Sequence, residues 1–219
     1  MNYSEWRPYY KMILNDFHFT ESTDRKSAQM LSTILGNNFV KLDLLNRMIQ
    51  GKEVLIIGDS PYYSLDKKML DSRLIISADD ATKHLMDLDL SPNIVVTDLD
   101  ADESLLIASS DAGSIMVIHA HGDNIDKLKI AEKIPLRIGT TQAEPLWNVF
   151  NFGGFTDGDR AVFLAHHFNA KKIILAGFNF YNPNNRKGKD LEKKMKKLIY
   201  SKILINVLMN KYNANIIIL

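Results

Sequence analysis

Two hydrophobic rhythms meet at Gly51. Before it, apolar residues recur every three to four positions. "SEWRPYYKMILNDF" places Trp6, Tyr9, Tyr10, Ile13, Leu14 and Phe17 at helical spacing. "STDRKSAQMLSTIL" opens on cap-competent Ser22 and Thr23, then puts Ala28, Leu31, Ile34 and Leu35 on one side. "NNFVKLDLLNRMI" continues the period. The first 50 residues therefore predict a lead-in of about three short helices. After Gly51 come short β-rich runs, most of them unbroken: "EVLIIG", "RLIISA", "NIVVT", "SIMVIHA", "PLRIG", "KKIILAG" and "ANIIIL". Runs rich in Ile and Val without polar alternation are the pattern of strands covered on both faces. Between them lie helical stretches: Ala81 to Leu88, Asp102 to Ser110, Asn124 to Lys133, Asp157 to Phe168, and Asp190 to about Lys211. Strand–helix alternation predicts an α/β fold with an open, mostly parallel sheet flanked by helices, over residues 51–219.

In such sheets ligands bind beyond the carboxyl ends of the strands. Those ends are occupied here by Gly58–Asp59–Ser60, Asp79–Asp80, Asp98–Leu99–Asp100, His119 to Asn124, Gly139 to Gln142, and Gly177–Phe178–Asn179. Small, acidic or hydrogen-bonding residues at nearly every strand end are more than a structural sheet requires.

Composition narrows the chemistry. The 219 residues include no cysteine, which excludes disulfides, thiolate catalysis and cysteine zinc sites. The net charge of +1 gives no bulk attraction for nucleic acid or an acidic membrane. No apolar stretch is long enough to span a bilayer, and "MNYSEWRPYY" lacks a signal-peptide core. The expectation is a cytoplasmic protein without nucleic-acid or membrane partners.

The acids of "NIVVTDLDAD" separate by role. Asp102 precedes the helical "ESLLIASS" and reads as a helix start. Asp98 and Asp100 leave a buried strand one residue apart. Clustered carboxylates raise each other's pKa unless a cation neutralises them, and hard oxygen donors suit Mg²⁺. An EF-hand loop fails, because Glu103 stands where its glycine is required and Ser109 where its glutamate is required. A metal-diphosphate DxD element stays open. "HAHGDN" is a second constellation: His119 and His121 point to one side of an extended chain and read as substrate contacts, with Asp123 and Asn124 as metal or substrate ligands or, for Asn124, a helix cap. The turns at Gly58 and Ser60 offer backbone N–H groups suited to phosphate, though the P-loop and dinucleotide fingerprints are absent. In "NFGGFTDGDRA" the paired glycines allow close backbone approach to a ligand, Asp157 and Asp159 cap a helix or face the site, and Arg160 is a phosphate contact. Arg186, Lys187 and Lys189 read as phosphate clamps in a loop, while Lys193, Lys194, Lys196 and Lys197 read as a solvated face.

Taken in order, "GDSP", "SADDA", "PNIVVTDLD", "HAHGDN", "GTTQ", "NFGGFTDGDRAVFLA" and "ILAGFNF" resemble the archaeal 6-hydroxymethyl-7,8-dihydropterin diphosphokinase family. That family is similar in fold to the catalytic domain of thiamine pyrophosphokinase. The resemblance implies transfer of pyrophosphate from ATP to the pterin hydroxymethyl group, with Mg²⁺ as cofactor and release of AMP. It makes Asp79 a metal-site aspartate beside Asp98 and Asp100. It places His119, His121, Asn124, Thr141, Gln142, Asp157 and Asp159 around the pterin, Asp123 among the catalytic acids, and a homodimer among the expected assemblies. The chain departs from the family pattern at Asp80, where glycine is usual, and at Asn179, where aspartate is usual. A thiamine-type acceptor and a non-catalytic nucleotide-binding relative are the alternative readings.

Overall fold

The computed structural model describes residues 1–60, 67–70, 73–182 and 190–219. Its helices are α1 (Tyr3–Phe17), α2 (Glu21–Leu35), α3 (Leu42–Ile49), α4 (Lys67–Leu70), α5 (Thr82–Met86), α6 (Glu103–Asp111), α7 (Asp157–His167) and α8 (Leu191–Tyr212). Its strands are β1 (Glu53–Ile57), β2 (Leu74–Ala78), β3 (Ile94–Thr97), β4 (Ile115–Ala120), β5 (Arg137–Thr141), β6 (Val149–Phe150), β7 (Lys172–Ala176) and β8 (Ile216–Ile218). Two 3-10 segments, Asp79–Ala81 and Gly122–Lys133, follow β2 and β4.

The eight strands form one sheet in the order β6-β5-β4-β3-β2-β1-β7-β8, every neighbouring pair parallel. Alternate strand residues feed opposite cores. Val54, Ile56, Ile76, Ile94, Val96 and Val117 meet Trp6, Tyr10 and Ile13 of α1, Leu45 of α3, Phe163 of α7 and Leu204 of α8. Val95, Met116 and Ile118 meet Leu31 and Leu35 of α2 and Leu106 of α6, while Leu55, Ile57 and Ile75 meet Leu70 and Leu85 of α4 and α5. Helices on both faces explain why the strands lack polar alternation. The lead-in helices share these cores.

Chain order runs outward from β1 to β6, then reverses: α7 recrosses and β7 docks on the other side of β1. Ligand crevices form at such a reversal, outside the carboxyl ends of the strands. Gly58 makes the junction tight. A Cβ there would stand 2.5 Å from the Gly177 carbonyl oxygen.

Candidate active site

A cleft of about 510 Å³ opens over the carboxyl edge of the sheet. That is the size of a small-molecule site. The turns after β1 to β5 and β7, the start of α7 and one side of α8 line it.

Three carboxylates converge within it. Oxygens of Asp79, Asp98 and Asp157 all lie within 4.8 Å of one another. Each is positioned by a distinct device. Asp79 follows β2 with φ 46°, and accepts hydrogen bonds from Thr97 Oγ1 at 2.6 Å and the Ala101 N–H at 3.3 Å. Asp98 leaves β3 and accepts from His121 Nε2 at 3.3 Å. Asp157 opens α7, and Arg160 Nη1 donates to it at 3.1 Å. Leu99, the residue after Asp98, has φ 66° and is buried. Two left-handed non-glycine residues beside one acidic cluster are backbone strain of the kind held at functional sites.

The electrostatics follow from the crowding. Burial, then the Asp98 charge, pushes the Asp79 carboxyl up to about 7 against its two hydrogen bonds. Burial, again followed by Asp98, raises Asp157 well above the usual carboxylate range. Burial would raise Asp98 too. The hydrogen bond from His121 and the pull of His121, Arg160 and Lys197 outweigh it and hold that group below its usual range. Asp98 Oδ1 is buried with no hydrogen-bond partner among the described residues. Three converging carboxylates, one of which carries an unpartnered buried oxygen, fit a divalent cation such as Mg²⁺.

Asp100 is not in the cluster. The left-handed turn at Leu99 breaks the alternation that would have kept it beside Asp98. Asp100 lies exposed at the cleft rim, 2.7 Å from Lys127 Nζ. Asp123 is also an exposed rim residue, its N–H donated to His121 Nδ1 at 3.2 Å. Asp102 caps α6 by accepting the Ser104 N–H at 2.8 Å.

Several residues expected around the ligand have polar groups engaged within the protein, and for Asn124 and Asp159 this is the helix-capping role also expected. Asn124 is a brace. Its Nδ2 donates to the carbonyls of Asp98 and His119, both at 2.7 Å, and its Oδ1 accepts the His121 N–H at 3.0 Å. Asp159 closes the turn into α7, accepting from the N–H groups of Phe155 at 2.6 Å and Thr156 at 2.8 Å. His119 and Thr141 lie buried behind the cleft, not on its wall. The amides of Gly58 and Ser60 are committed to the carbonyls of Ala176 and Gly177, at 2.8 and 3.0 Å, although both residues line the cleft. Gly153 and Gly154 have φ near 90° and approach their own helix: a Cβ would stand 2.5 Å from Phe163 and 2.6 Å from Arg160. Arg186, Lys187 and Lys189 lie outside the described residues.

Gln142 lines the cleft. Its Nε2 donates to Asp24 at 2.8 Å, so the amide is held with Oε1 as an acceptor, buried and without a partner among the described residues. Asp24 itself is buried and also accepts from Tyr10 Oη at 2.7 Å and the Gly122 N–H at 2.8 Å. The lead-in helices thus help hold the site.

Sequence spacing missed the cationic wall. Lys193, Lys194 and Lys197 of α8 line the cleft. Lys197 is pulled down in pKa by burial, opposed by the Asp98 charge. Phe19, Phe155 and Phe178 add apolar wall beside it.

Residues 28–185 match the family described as 6-hydroxymethylpterin diphosphokinase MptE-like. The chain belongs to this family. The matched span takes in the acidic trio and every strand-end turn of the cleft, and stops before α8. A protein of Pyrococcus furiosus named 6-hydroxymethyl-7,8-dihydropterin pyrophosphokinase is 41% identical over 230 aligned positions, covering 99% of this chain and 98% of the relative. One of Methanocaldococcus jannaschii with the same name is 41% identical, covering 96% and 97%. A solved thiamine pyrophosphokinase from Bacillus subtilis covers 77% of this chain and 60% of its own at 17% identity with a TM-score of 0.44, a likeness too remote to bear on activity. Among the described residues, no helix is long and apolar enough to cross a membrane.

Proposed function

We propose that the protein is an ATP- and Mg²⁺-dependent diphosphokinase that acts on 6-hydroxymethyl-7,8-dihydropterin in the cytoplasm. Family membership and the names of full-length relatives support the pterin and the pyrophosphoryl transfer. The observation that carries the site reading is the Asp79, Asp98 and Asp157 trio, with its partnerless Asp98 oxygen, set opposite the α8 lysines.

In the proposed reaction the pterin hydroxymethyl oxygen attacks the β-phosphorus of ATP. A new O–P bond forms, the bond between the β-phosphorus and the α,β-bridging oxygen breaks, and AMP leaves. The hydroxyl proton goes to solvent or to a cleft carboxylate. Such a transfer needs alignment and charge neutralisation more than covalent catalysis. A Mg²⁺ held by Asp79, Asp98 and Asp157 would screen the phosphate charge and polarise the phosphoryl oxygens. The chain's own groups do the rest. Lys193 and Lys197 supply positive charge where the triphosphate lies. His121 and Arg160 fix Asp98 and Asp157. Phe155 and Phe178 offer apolar faces to a flat ring. Gln142 Oε1, locked as an acceptor by Asp24, suits the N–H and amino edge of a pterin.

The test is incubation with ATP, Mg²⁺ and each of three acceptor conditions: the pterin, thiamine, or none. AMP measured by chromatography is expected with the pterin alone. AMP at the level of the no-acceptor control would refute the assignment.

A further inference from the structure

Arg160 also lines a second cavity, of about 10 Å³, together with His119, Thr140, Thr141, Phe152 and Gly153 among others. That volume is near the minimum for one water molecule. Two polar atoms of its lining residues have no partner among the described residues: His119 Nε2 and Arg160 Nε. Both residues are buried, His119 2% and Arg160 7% exposed. A guanidinium Nε carries a hydrogen and can only donate.

The hydrogen-bond chain around His119 points to the Nδ1 tautomer. Thr140 Oγ1 donates its one proton to the Ile118 carbonyl at 3.2 Å. With that proton on the carbonyl, Oγ1 is left to accept from His119 Nδ1, 3.2 Å away. Burial, before the nearby Arg160 charge, holds the imidazole neutral by pushing its pKa well below the usual value. With the proton on Nδ1, Nε2 is a bare acceptor. Two residues that line one cavity thus carry a donor without an acceptor and an acceptor without a donor. A direct bond between them would have satisfied both, and neither has one.

We propose that a single buried water joins them, accepting from Arg160 Nε–H and donating to His119 Nε2. His119 is then a positioning residue. It sets the plane of Arg160, whose Nη1 holds Asp157 in the acidic trio. This gives the first histidine of "HAHGDN" a role without substrate contact, and separates it from His121, which touches Asp98 directly. The coupling to metal rests on the metal-site reading above; the water and the tautomer do not.

The first test is a high-resolution crystal structure of the whole protein. One ordered water within hydrogen-bond distance of both His119 Nε2 and Arg160 Nε is expected. An empty cavity, or a direct His119–Arg160 contact, would overturn the proposal. Nitrogen-15 NMR of labelled histidine gives an independent reading: Nδ1 protonated and Nε2 bare is expected, and the opposite tautomer overturns it. For the positioning role, Mg²⁺ binding is measured by calorimetry on wild type, His119→Phe, Arg160→Met and the double variant. His119→Phe keeps a ring but no acceptor, and weakens Mg²⁺ binding by about tenfold, as loss of an outer partner of a metal ligand does. His119→Gln, which restores an acceptor near the water, recovers most of that loss and guards against a folding defect in the Phe variant. Adding His119→Phe to Arg160→Met costs nothing further. Fully additive losses, or unchanged binding in His119→Phe, would overturn the positioning role. If the wild type itself binds no Mg²⁺, the metal reading fails, and the water density and tautomer still decide the proposal for His119.

Discussion

Replacing Asp79 with Asn should stabilise the Mg²⁺-free protein while destroying its use. Asn at 79 keeps an acceptor for Thr97 Oγ1 and the Ala101 N–H, 2.6 and 3.3 Å away in the native protein, and removes one of three crowded charges. Two unit charges at the 4.8 Å limit of the cluster repel by about 3.5 kcal/mol at an effective dielectric near 20. Relaxation and salt reduce this, leaving an expected gain of about 2 kcal/mol. For a chain of this size that is a rise of about 4–8 °C in Tm. The pH dependence has a definite sign. The Asp79 carboxyl is pushed up to about 7 in the fold, well above its ordinary value. Between those two values the folded wild type holds a proton that the unfolded chain has lost, so its stability falls as pH rises through the window. The advantage of Asp79→Asn is therefore full above about pH 7 and fades as pH falls toward 4. Calorimetric melting in EDTA at pH 5 and pH 8 measures it. Mg²⁺ should then raise the Tm of the wild type and leave Asp79→Asn nearly unmoved. A variant less stable than wild type in EDTA at pH 8, or one that gains as much from Mg²⁺, would show that Asp79 is neither a strained charge nor a metal ligand.

Asp157→Asn should abolish turnover, whereas Asp100→Asn should retain it within about tenfold, because Asp100 makes a rim pair with Lys127 of the kind worth little; steady-state kinetics on both separates the trio from a DxD element. Lys197→Met keeps the apolar stem and removes the cation, and should lower kcat/KM for ATP by about a hundredfold with Tm unchanged or raised. Asn124→Ala should lower Tm by about 4–12 °C, since it strands the part-buried carbonyl of Asp98 and the buried one of His119 at about 2–3 kcal/mol in total.

Most of the sheet was legible because burial on both faces writes strands as apolar runs, and each of the seven runs overlaps an observed strand, including the partly exposed β8. β6 was not, since two residues, Val149 and Phe150, make no run. The strand-end rule located the cleft, yet individual side chains went astray for physical reasons. Asp98 and Asp100 alternate in sequence, but the left-handed turn at Leu99 parts them. His119 and His121 do lie toward one side, with rings 6.0 Å apart. Two residues of strand is about 6.6 Å of depth, so one sits inside and the other at the mouth. Lys197 carries no local signal. Its helix is charged on several sides, and the packing of α8 on α7 selects which lysines face the acids. Asp159 and Asp157 are two apart on one helix start, and the cap takes one while the site takes the other.

Phosphorus NMR of the reaction mixture tests the central claim most directly. With ATP, Mg²⁺ and 6-hydroxymethyl-7,8-dihydropterin, AMP and a pterin carrying two coupled phosphorus atoms are expected in equal amounts. ADP with a pterin bearing one phosphorus, or an unmodified pterin, would contradict it.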